Sequence, residues 1–393
     1  MIMIYLMKPL MRYLLQYEER VWIAKVREDD SRSLTEVFGG RSRKGSDKMI
    51  NLIKPEKLKS GDKIATVSLS WGGAGEPNLL WRYEQGKRRL EELFGLRVVE
   101  MPSTLKGAEY LRKNPQARAR DLMQAFEDDS IKGIFSCIGG DDSLRLLPYI
   151  DLEVIRRHPK IFLGYSDSTV THYMCYKAGL SSFYGPALLS DFAENVVLPE
   201  YTRKWIKKAL FDNTPLGIIA PATEWTSEYL PWDYTNRQKM RRFKMNTPYE
   251  ILQGKGSIEG RLIGGCIEVM DWISRTELFP AIDDFQGAIL FLETSEDKPS
   301  PSEVEHYMRK YGKMGILQVL HGMIIGKPYD NCYYEDYKKI LLKVLRDYNR
   351  EDLPLLYNVS FGHCEPKCCL PYGAKAKINC TYKSFEILES GCR

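Results

Sequence analysis

The stretch IFLGYSDSTVTHYM, residues 161–174, decides the fold, because an apolar strand changes into a helix-like pattern within it. The apolar run before Gly164 is typical of a buried strand, and Ser166 follows at the turn. Ser166 or Asp167 could simply cap the helix that begins there, as Ser and Asp often do. Alternatively, Ser166 is a nucleophile displayed on a strand-to-helix turn. The local sequence leaves both interpretations open.

Strand-like and helix-like segments alternate on both sides of this stretch. KIATVSLS (63–70) and IKGIFSCIGG (131–140) are predicted strands, and residues 78–95 and 114–129 are predicted helices. Residues 143–159 also have a helical pattern. Apolar strands that alternate with helices indicate a parallel sheet covered on both faces. We therefore predict an α/β protein.

The 393 residues are long enough for two domains. Residues 49–215 are predicted to form an N-terminal α/β domain, and residues 258–393 a smaller, strand-rich C-terminal α/β domain. Residues 216–257 are rich in Trp, Tyr and charge without a clear period, which favours an irregular connection with a functional surface. Residues 1–48 are expected to be a poorly packed extension.

Composition excludes several classes of function. The net charge of +5 is small and scattered, so nucleic acid is not an expected partner. Apolar runs stay well below the roughly 20 residues that cross a bilayer, so no membrane partner is expected. Nine cysteines without a framework spacing favour free thiols in a reducing compartment, hence the cytoplasm. His363, Cys364, Cys368 and Cys369 match zinc spacing poorly, so no metal is expected.

Four predicted strands end in glycines or in side chains that could take part in catalysis. Gly139-Gly140 would let a backbone approach a ligand closely. Ser166, Glu293 and His363 lie at the ends of the other three. Taken alone, Ser166 is most simply a helix cap, Glu293 a solvated strand end and His363 a polar surface residue on a loop. Together they supply a nucleophile, an acid and a base in the chain order used by α/β hydrolases. A hydroxyl needs a base within hydrogen-bond reach, and the imidazole needs an acceptor that fixes its tautomer.

Four motifs in this order, GYSDST, IGGDDSLRLLPYID, FLETSED and FGHCEPKCCLPYG, resemble the S66 family of serine peptidases, the LD-carboxypeptidases. The chain looks most like the branch that contains the microcin C self-immunity peptidases, from about residue 50 to the C-terminus. The resemblance implies a flavodoxin-like or amidotransferase-like N-terminal domain, a homodimer and no cofactor. CEPKCC after the histidine differs from many members, which have a small residue and an Asn there.

The resemblance also implies roles for single residues. It implies a triad of Ser166, Glu293 and His363, with the backbone amides of Gly140 and Asp167 as the oxyanion hole. An exopeptidase must bind a terminal carboxylate, for which Lys298 and Arg261 are candidate cations. The remaining substrate-binding candidates are Gly139 and Asp141 of the glycine turn and two aromatic residues of the connecting segment, Trp225 and Trp232.

Three functions stay open. The first is hydrolysis of an amide near a terminal carboxylate or in a peptidyl- or aminoacyl-nucleotide, where Trp225 or Trp232 could stack on the base. The second is release of D-Ala from a murein tetrapeptide in cell-wall recycling. The third is a non-catalytic binder that keeps the fold. A dinucleotide-binding domain is disfavoured, because VSLSWGGAGEP (67–77) lacks G-x-G-x-x-G.

Overall fold

A computed structural model describes residues 51–393, and the predicted extension, residues 1–48, lies outside the described residues. The strands are listed here in chain order: β1 (Lys63–Val67), β2 (Arg97–Glu100), β3 (Ile131–Ser136), β4 (Ile161–Gly164), β5 (Phe183–Tyr184), β6 (Gly217–Ile218), β7 (Glu224–Trp225), β8 (Lys244–Met245), β9 (Glu250–Gln253), β10 (Ser257–Cys266), β11 (Ile289–Glu293), β12 (Gly322–Gly326), β13 (Leu355–Val359), β14 (Leu370–Pro371), β15 (Lys375–Asn379) and β16 (Ser384–Ile387).

The α-helices follow the predicted amphipathic segments. The first ends at Gly95, whose φ of +67° gives the left-handed cap that glycine favours, and the third begins at Pro115. The helices are α1 (Leu80–Phe94), α2 (Ala108–Lys113), α3 (Pro115–Glu127), α4 (Leu152–Arg157), α5 (Thr169–Lys177), α6 (Glu200–Leu210), α7 (Ile267–Ile273), α8 (Pro301–Lys313), α9 (Ile316–Val319) and α10 (Tyr334–Asp347).

The first sheet confirms the predicted parallel architecture. Its order is β14-β5-β4-β3-β1-β2, and β1 to β5 run parallel. The order 2-1-3-4-5 is that of doubly wound flavodoxin-like sheets, in which ligands bind beyond the carboxyl ends of the strands near the β1/β3 switch point. The loops after β1, β3 and β4 therefore define the expected position of a site.

The second sheet has the order β6-β16-β15-β10-β11-β12-β13-β9. Its centre, β10 to β13, is parallel, and its outer strands are antiparallel. Strands β11 to β13 are wholly buried, as is the second half of β10. Thr169 on α5 donates to Ser166 O and accepts from the backbone N–H of Cys266, which joins the nucleophile turn to this sheet. The carboxyl ends of β11 and β13 face the same region as Ser166.

Two predictions from the sequence need correction. The helical pattern over 143–159 divides into a 3₁₀ segment, Ser143–Tyr149, and α4, because Pro148 cannot continue a helix and Asp151 caps a new one by accepting from Glu153 N–H. The connecting segment 216–257 is also less irregular than expected, because it contributes β6 and β9 to the second sheet and forms the β7–β8 ribbon.

Hydrophobic burial holds the two sheets in one continuous core that includes the apolar faces of β1, β3, β4, β11 and β12. No helix within residues 51–393 has the length and apolar character needed to cross a bilayer.

Candidate functional site

Ser166 lies at the sharp turn between β4 and α5. Its φ of +62° is in the left-handed region, which costs a non-glycine residue about 1–3 kcal/mol unless the surroundings hold it there. Gly164 permits the turn, because a Cβ there would lie 2.6 Å from Ser168 Oγ. A strained serine at a strand-to-helix turn is the geometry that displays a nucleophile above a sheet.

The alternative of a simple helix cap is wrong for both Ser166 and Asp167. Neither the 3₁₀ turn at Ser166 nor α5 has a side-chain cap hydrogen bond. The buried Asp167 carboxylate instead accepts from Asp142 N–H at 3.0 Å, Ser143 N–H at 2.9 Å and Ser143 Oγ at 2.7 Å. Asp167 therefore ties the nucleophile turn to the turn that follows β3.

Three side chains from distant parts of the chain meet at this turn. His363 Nε2 lies 3.0 Å from Ser166 Oγ, and His363 Nδ1 lies 2.7 Å from Glu293 Oε2. Glu293 is the last residue of β11 and is 1% exposed, while His363 is 7% exposed. Gly362, with a φ of +90°, brings the histidine loop against the acid, since a Cβ there would lie 2.7 Å from Glu293 Oε2. The geometry is the one that a nucleophile, a base and a carboxylate that orients the base require.

Tyr184, on the short strand β5, is a fourth member of this arrangement that sequence reasoning missed. Its hydroxyl accepts from Ser166 N–H at 3.1 Å and donates to Glu293 Oε1 in a short hydrogen bond. Burial, reinforced by the charge of Glu293, raises the pKa of Tyr184 well above its usual value, so the phenol keeps its proton. Tyr184 therefore links the backbone of the nucleophile to the acid of the opposite sheet.

The turn Gly139-Gly140 lies directly against the nucleophile. A Cβ at Gly139 would lie 2.8 Å from Ser166 Oγ and 3.2 Å from Asp167 N. Gly140 has a φ of +144°, which favours glycine, and a Cβ there would lie 2.4 Å from Ser70 Oγ. Within residues 51–393, the amides of Gly140 and Asp167 have no assigned protein acceptor. The two amides predicted as an oxyanion hole thus lie on the two turns that meet at Ser166.

An ion pair fixes the far side of the glycine turn. Arg118 on α3 is fully buried and donates to Asp142 Oδ2 at 2.8 Å and to Leu69 O at 2.8 Å. Burial lowers the pKa of Arg118 and raises that of Asp142, and the attraction between them opposes both changes. The turn is therefore held between Arg118 on one side and Asp167 on the other.

Two carboxylates determine the protonation of His363. Burial alone would lower the pKa of His363, but Glu293 and Glu296, both hydrogen-bonded to its ring, raise it well above the usual value. Glu296 Oε2 lies 3.1 Å from His363 Nε2. Tyr165 packs edge-on against the imidazole with the ring centroids 4.9 Å apart. The base is thus held in a buried aromatic and acidic environment.

Buried charges support the loop after the histidine, the segment that differs from many S66 sequences. Lys367 is fully buried, lies 2.9 Å from Asp191 Oδ1 and 3.4 Å from Glu365 Oε1, and has its Nζ 3.7 Å from the centroid of the Tyr165 ring. Glu365 also pairs with Arg241 of the connecting segment at 3.1 Å. The pKa of Lys367 is raised, because these anions outweigh the lowering effect of burial. This network ties the connecting segment and the histidine loop to the residue before the nucleophile.

The cysteines of this loop are thiols. Cys364, Cys368 and Cys369 are buried, and burial raises the pKa of the first two to about 12. In residues 51–393, no group of three or more His, Cys, Asp or Glu side chains has an arrangement that could hold a metal ion.

The remaining candidates lie around the triad at different depths. Trp232 is half-buried, with Arg82 4.4 Å from its ring centroid and Trp71 at a centroid distance of 6.4 Å. The backbone N–H of Trp71 donates to Gly139 O, which places this aromatic pair beside the glycine turn. Trp225 is buried, with Lys327 Nζ 4.5 Å from its ring centroid.

The polar candidates also differ in position. Asp141 is exposed on the glycine turn. Lys298 is half-buried, in the loop that also holds Glu296, and lies 3.4 Å from Asp330 Oδ2. Arg261 lies on β10 and donates to Gly373 O and Asn51 Oδ1. These bonds give its guanidinium a structural role.

Comparisons with known proteins agree with this architecture. Residues 64–185 match the LD-carboxypeptidase N-terminal domain of peptidase family S66, and residues 259–378 match its C-terminal domain. The Bacillus subtilis protein named "Probable murein peptide carboxypeptidase" is 30% identical over 86% of this chain and 95% of its own.

Solved structures give the same result. An MccF-like protein from Streptococcus pneumoniae in complex with AMP has a TM-score of 0.77 and 34% identity, covering 83% of this chain and 98% of its own. The microcin C7 self-immunity protein MccF in complex with aspartyl sulfamoyl adenosine has a TM-score of 0.76 and 28% identity, covering 87% of this chain and 100% of its own. With both domains matched in order, this chain belongs to the LD-carboxypeptidase family, peptidase family S66.

Proposed function

We propose that this protein is a serine carboxypeptidase or amidase that uses Ser166 as nucleophile, His363 as base and Glu293 as the orienting acid. The observation that carries the proposal is the continuous chain of contacts from Ser166 Oγ through the His363 ring to Glu293, with distances of 3.0 and 2.7 Å. Such a chain activates a hydroxyl that is a weak nucleophile at its ordinary pKa.

The reaction is acyl transfer. His363 Nε2 takes the proton of Ser166 as Oγ attacks the scissile carbonyl carbon, and Glu293 stabilises the imidazolium that forms. The amides of Gly140 and Asp167 donate to the oxyanion, and His363 then gives its proton to the leaving nitrogen. Water repeats the sequence on the acyl-enzyme and releases the product acid. One lost oxyanion donor costs about 10²–10³ in kcat, so the placement of the glycine turn also matters for the rate.

We propose an aminoacyl- or peptidyl-nucleotide amide as the substrate. Two structural relatives hold AMP and aspartyl sulfamoyl adenosine, which supports a nucleotide-like moiety. Trp232 is the better placed of the two candidate tryptophans, because it is half-buried beside the glycine turn, whereas Trp225 is buried under Lys327. Stacking of a base on an aromatic ring contributes about 1–3 kcal/mol.

The second candidate is release of D-Ala from a murein tetrapeptide. It is favoured by the name of the Bacillus subtilis relative. In the tetrapeptide, Lys298 would bind the terminal carboxylate of D-Ala, since it shares a short loop with Glu296, which contacts the base. Asp141 and Gly139 would line the same cleft.

We further propose that the protein acts in the cytoplasm as a homodimer. The cytoplasm is supported by the nine free thiols, most of them buried. The homodimer follows from the family resemblance, and light scattering on the purified protein would test it.

A paired hydrolysis assay read by mass spectrometry tests the proposal on wild type and Ser166→Ala. The substrates are an aminoacyl sulfamoyl adenosine and an L,D-linked murein tetrapeptide. We expect wild type to cleave the adenosine conjugate. Ser166→Ala should cleave it at least about 10⁴-fold more slowly, with an unchanged thermal midpoint. Release of D-Ala alone would favour the second candidate. Equal turnover by Ser166→Ala would contradict the triad.

A further inference from the structure

The carboxylate of Glu296 lies against the catalytic base on the side that faces the nucleophile. Its Oε2 is 3.1 Å from His363 Nε2, the same ring nitrogen that is 3.0 Å from Ser166 Oγ. The other ring nitrogen is occupied by Glu293 at 2.7 Å. Unlike Glu293, Glu296 is not enclosed by protein, because its side chain is 60% exposed. Two polar groups therefore compete for one ring nitrogen at the open side of the site.

The two contacts at Nε2 require opposite states of the imidazole. A carboxylate can only accept, so its contact with Nε2 needs a proton on that nitrogen. A general base needs the lone pair at the same position, so that it can accept the Ser166 proton. The contact between Glu296 and His363 thus describes a resting site, and it must be given up before Ser166 is activated. A substrate group that takes over the carboxylate would bring this change about.

The chemistry of the substrate supplies such a group. In an α-aminoacyl conjugate, the free ammonium nitrogen is two bonds from the carbonyl carbon under attack. When that carbon comes within about 3–3.5 Å of Ser166 Oγ, the ammonium must lie close to the nucleophile and the base. Glu296 is the half-exposed carboxylate that contacts this base. A hydrogen bond between ammonium and carboxylate is about twice as strong as a neutral one.

We propose that Glu296 binds the free α-ammonium of the acyl group, so that the enzyme selects conjugates of an unmodified α-amino acid over N-acylated ones. The proposal rests on the proposed function and narrows its substrate class. When the ammonium pairs with Glu296, the Nε2 proton of His363 passes to water. The neutral imidazole then accepts the proton of Ser166, and the negative charge of Glu296 stays paired throughout.

This selection separates the two candidate substrates. An aminoacyl nucleotide presents a free α-ammonium beside its scissile carbonyl. In a murein tetrapeptide, the α-nitrogen of the residue before the terminal D-Ala is already in a peptide bond and carries no charge. Glu296 therefore favours aminoacyl nucleotides, because its carboxylate attracts their ammonium group. It disfavours murein tetrapeptides, because without an ammonium partner the carboxylate stays in contact with His363 Nε2.

The test compares an alanyl sulfamoyl adenosine with its N-acetyl derivative on wild type, Glu296→Gln and Asp297→Asn. Asp297→Asn removes the same charge from the next residue of the same loop and is the matched control. We expect wild type and Asp297→Asn to prefer the free amine by at least about tenfold in kcat/KM. Glu296→Gln should bring this ratio close to one, mainly by slowing the free-amine substrate, with an unchanged thermal midpoint.

Three results would overturn the proposal. The first is retention of the wild-type ratio by Glu296→Gln, and the second is loss of the ratio in Asp297→Asn as well. The third is equal cleavage of both substrates by wild type, which contradicts the inference and leaves the proposed hydrolase intact. If wild type cleaves neither conjugate, the proposed substrate class fails and the inference fails with it.

Discussion

The two halves of the site are built from different chemistry. On the nucleophile side, the groups next to Ser166 Oγ are the backbone of Gly139 and the amide of Asp167. On the opposite side, the groups next to the reacting proton are titratable: His363, Glu293 and Glu296. Apart from Ser166 itself, the groups next to the reacting atoms on the nucleophile side carry no titratable proton, whereas in the proposed mechanism the base side works only when His363 has lost a proton.

This difference predicts how variants should behave. A change on the nucleophile side should lower the rate without moving the pH profile, because no proton near the reaction is affected. A change on the base side should alter the rate and the pH profile together. For wild type, activity should be lost as the pH falls through the raised pKa of His363, so the acid limb should lie above the usual range of about 6.5.

Among the variants that compare the two sides, the largest effect is expected for Glu293→Gln. We expect kcat to fall by about 10³–10⁴, because the amide no longer fixes the tautomer of His363 or stabilises its cation. Without this charge, only Glu296 opposes the lowering of the His363 pKa by burial, so the acid limb should also move to lower pH. A pH series of kcat/KM measures both effects. An acid limb at the wild-type position would contradict the account.

Gly139→Ala should have the next largest effect and should lower the rate alone. Its methyl group would lie 2.7 Å from Ser166 Cβ and 2.8 Å from Oγ, so the glycine turn or the serine must move. We expect a loss of about 10²–10³ in kcat, the size typical of a lost oxyanion donor, with an unchanged acid limb.

Gly133→Ala, within β3 and just before the glycine turn, is the control for Gly139→Ala. A Cβ at Gly133 would meet side-chain atoms, the nearest of them 3.3 Å away, so its effect on the rate should be small. Near wild-type activity in Gly139→Ala, or a shifted acid limb, would show that the two sides are not separable in this way.

Tyr184→Phe should have the smallest effect. It removes a hydroxyl that is hydrogen-bonded to both sides of the site. It removes the acceptor of Ser166 N–H and the donor to Glu293 Oε1. We expect kcat to fall about tenfold at constant KM. The acid limb should move to higher pH, because Glu293 then concentrates its charge on His363.

Tyr173→Phe is the matched control, because the Tyr173 hydroxyl is buried and has no hydrogen-bond partner among residues 51–393. This control should keep the wild-type profile. A tenfold loss in Tyr173→Phe, or an unmoved acid limb in Tyr184→Phe, would reduce Tyr184 to a packing role.

The sequence predicted those parts of the site whose chemistry is local. Glu293 ends an apolar strand, and Ser166 and His363 lie just beyond two others. A polar group at the end of a buried strand is visible in the sequence itself. The parallel sheets were predictable for the same reason, since buried strands appear as continuous apolar runs. Strand ends meet at one edge of a sheet, so the three residues could be expected to converge.

The missed parts depend on contacts between distant segments. Tyr184 looks like an ordinary aromatic residue of a short strand, and its role arises from Ser166 and from Glu293, which is 109 residues away. The cap interpretation of Asp167 was wrong because its carboxylate finds donors at Asp142 and Ser143 instead. Lys367 is fully buried against Asp191, a pairing that CEPKCC does not indicate by itself. No periodicity encodes such pairings.

Intact-mass analysis after reaction with a fluorophosphonate probe tests the central claim most directly, that the two halves together activate Ser166. We predict one adduct on wild type, none on Ser166→Ala, and labelling slowed by at least about 10³ on His363→Ala, since the hydroxyl then lacks its base. Equal labelling of Ser166→Ala, or a labelling rate unaffected by His363→Ala, would contradict it.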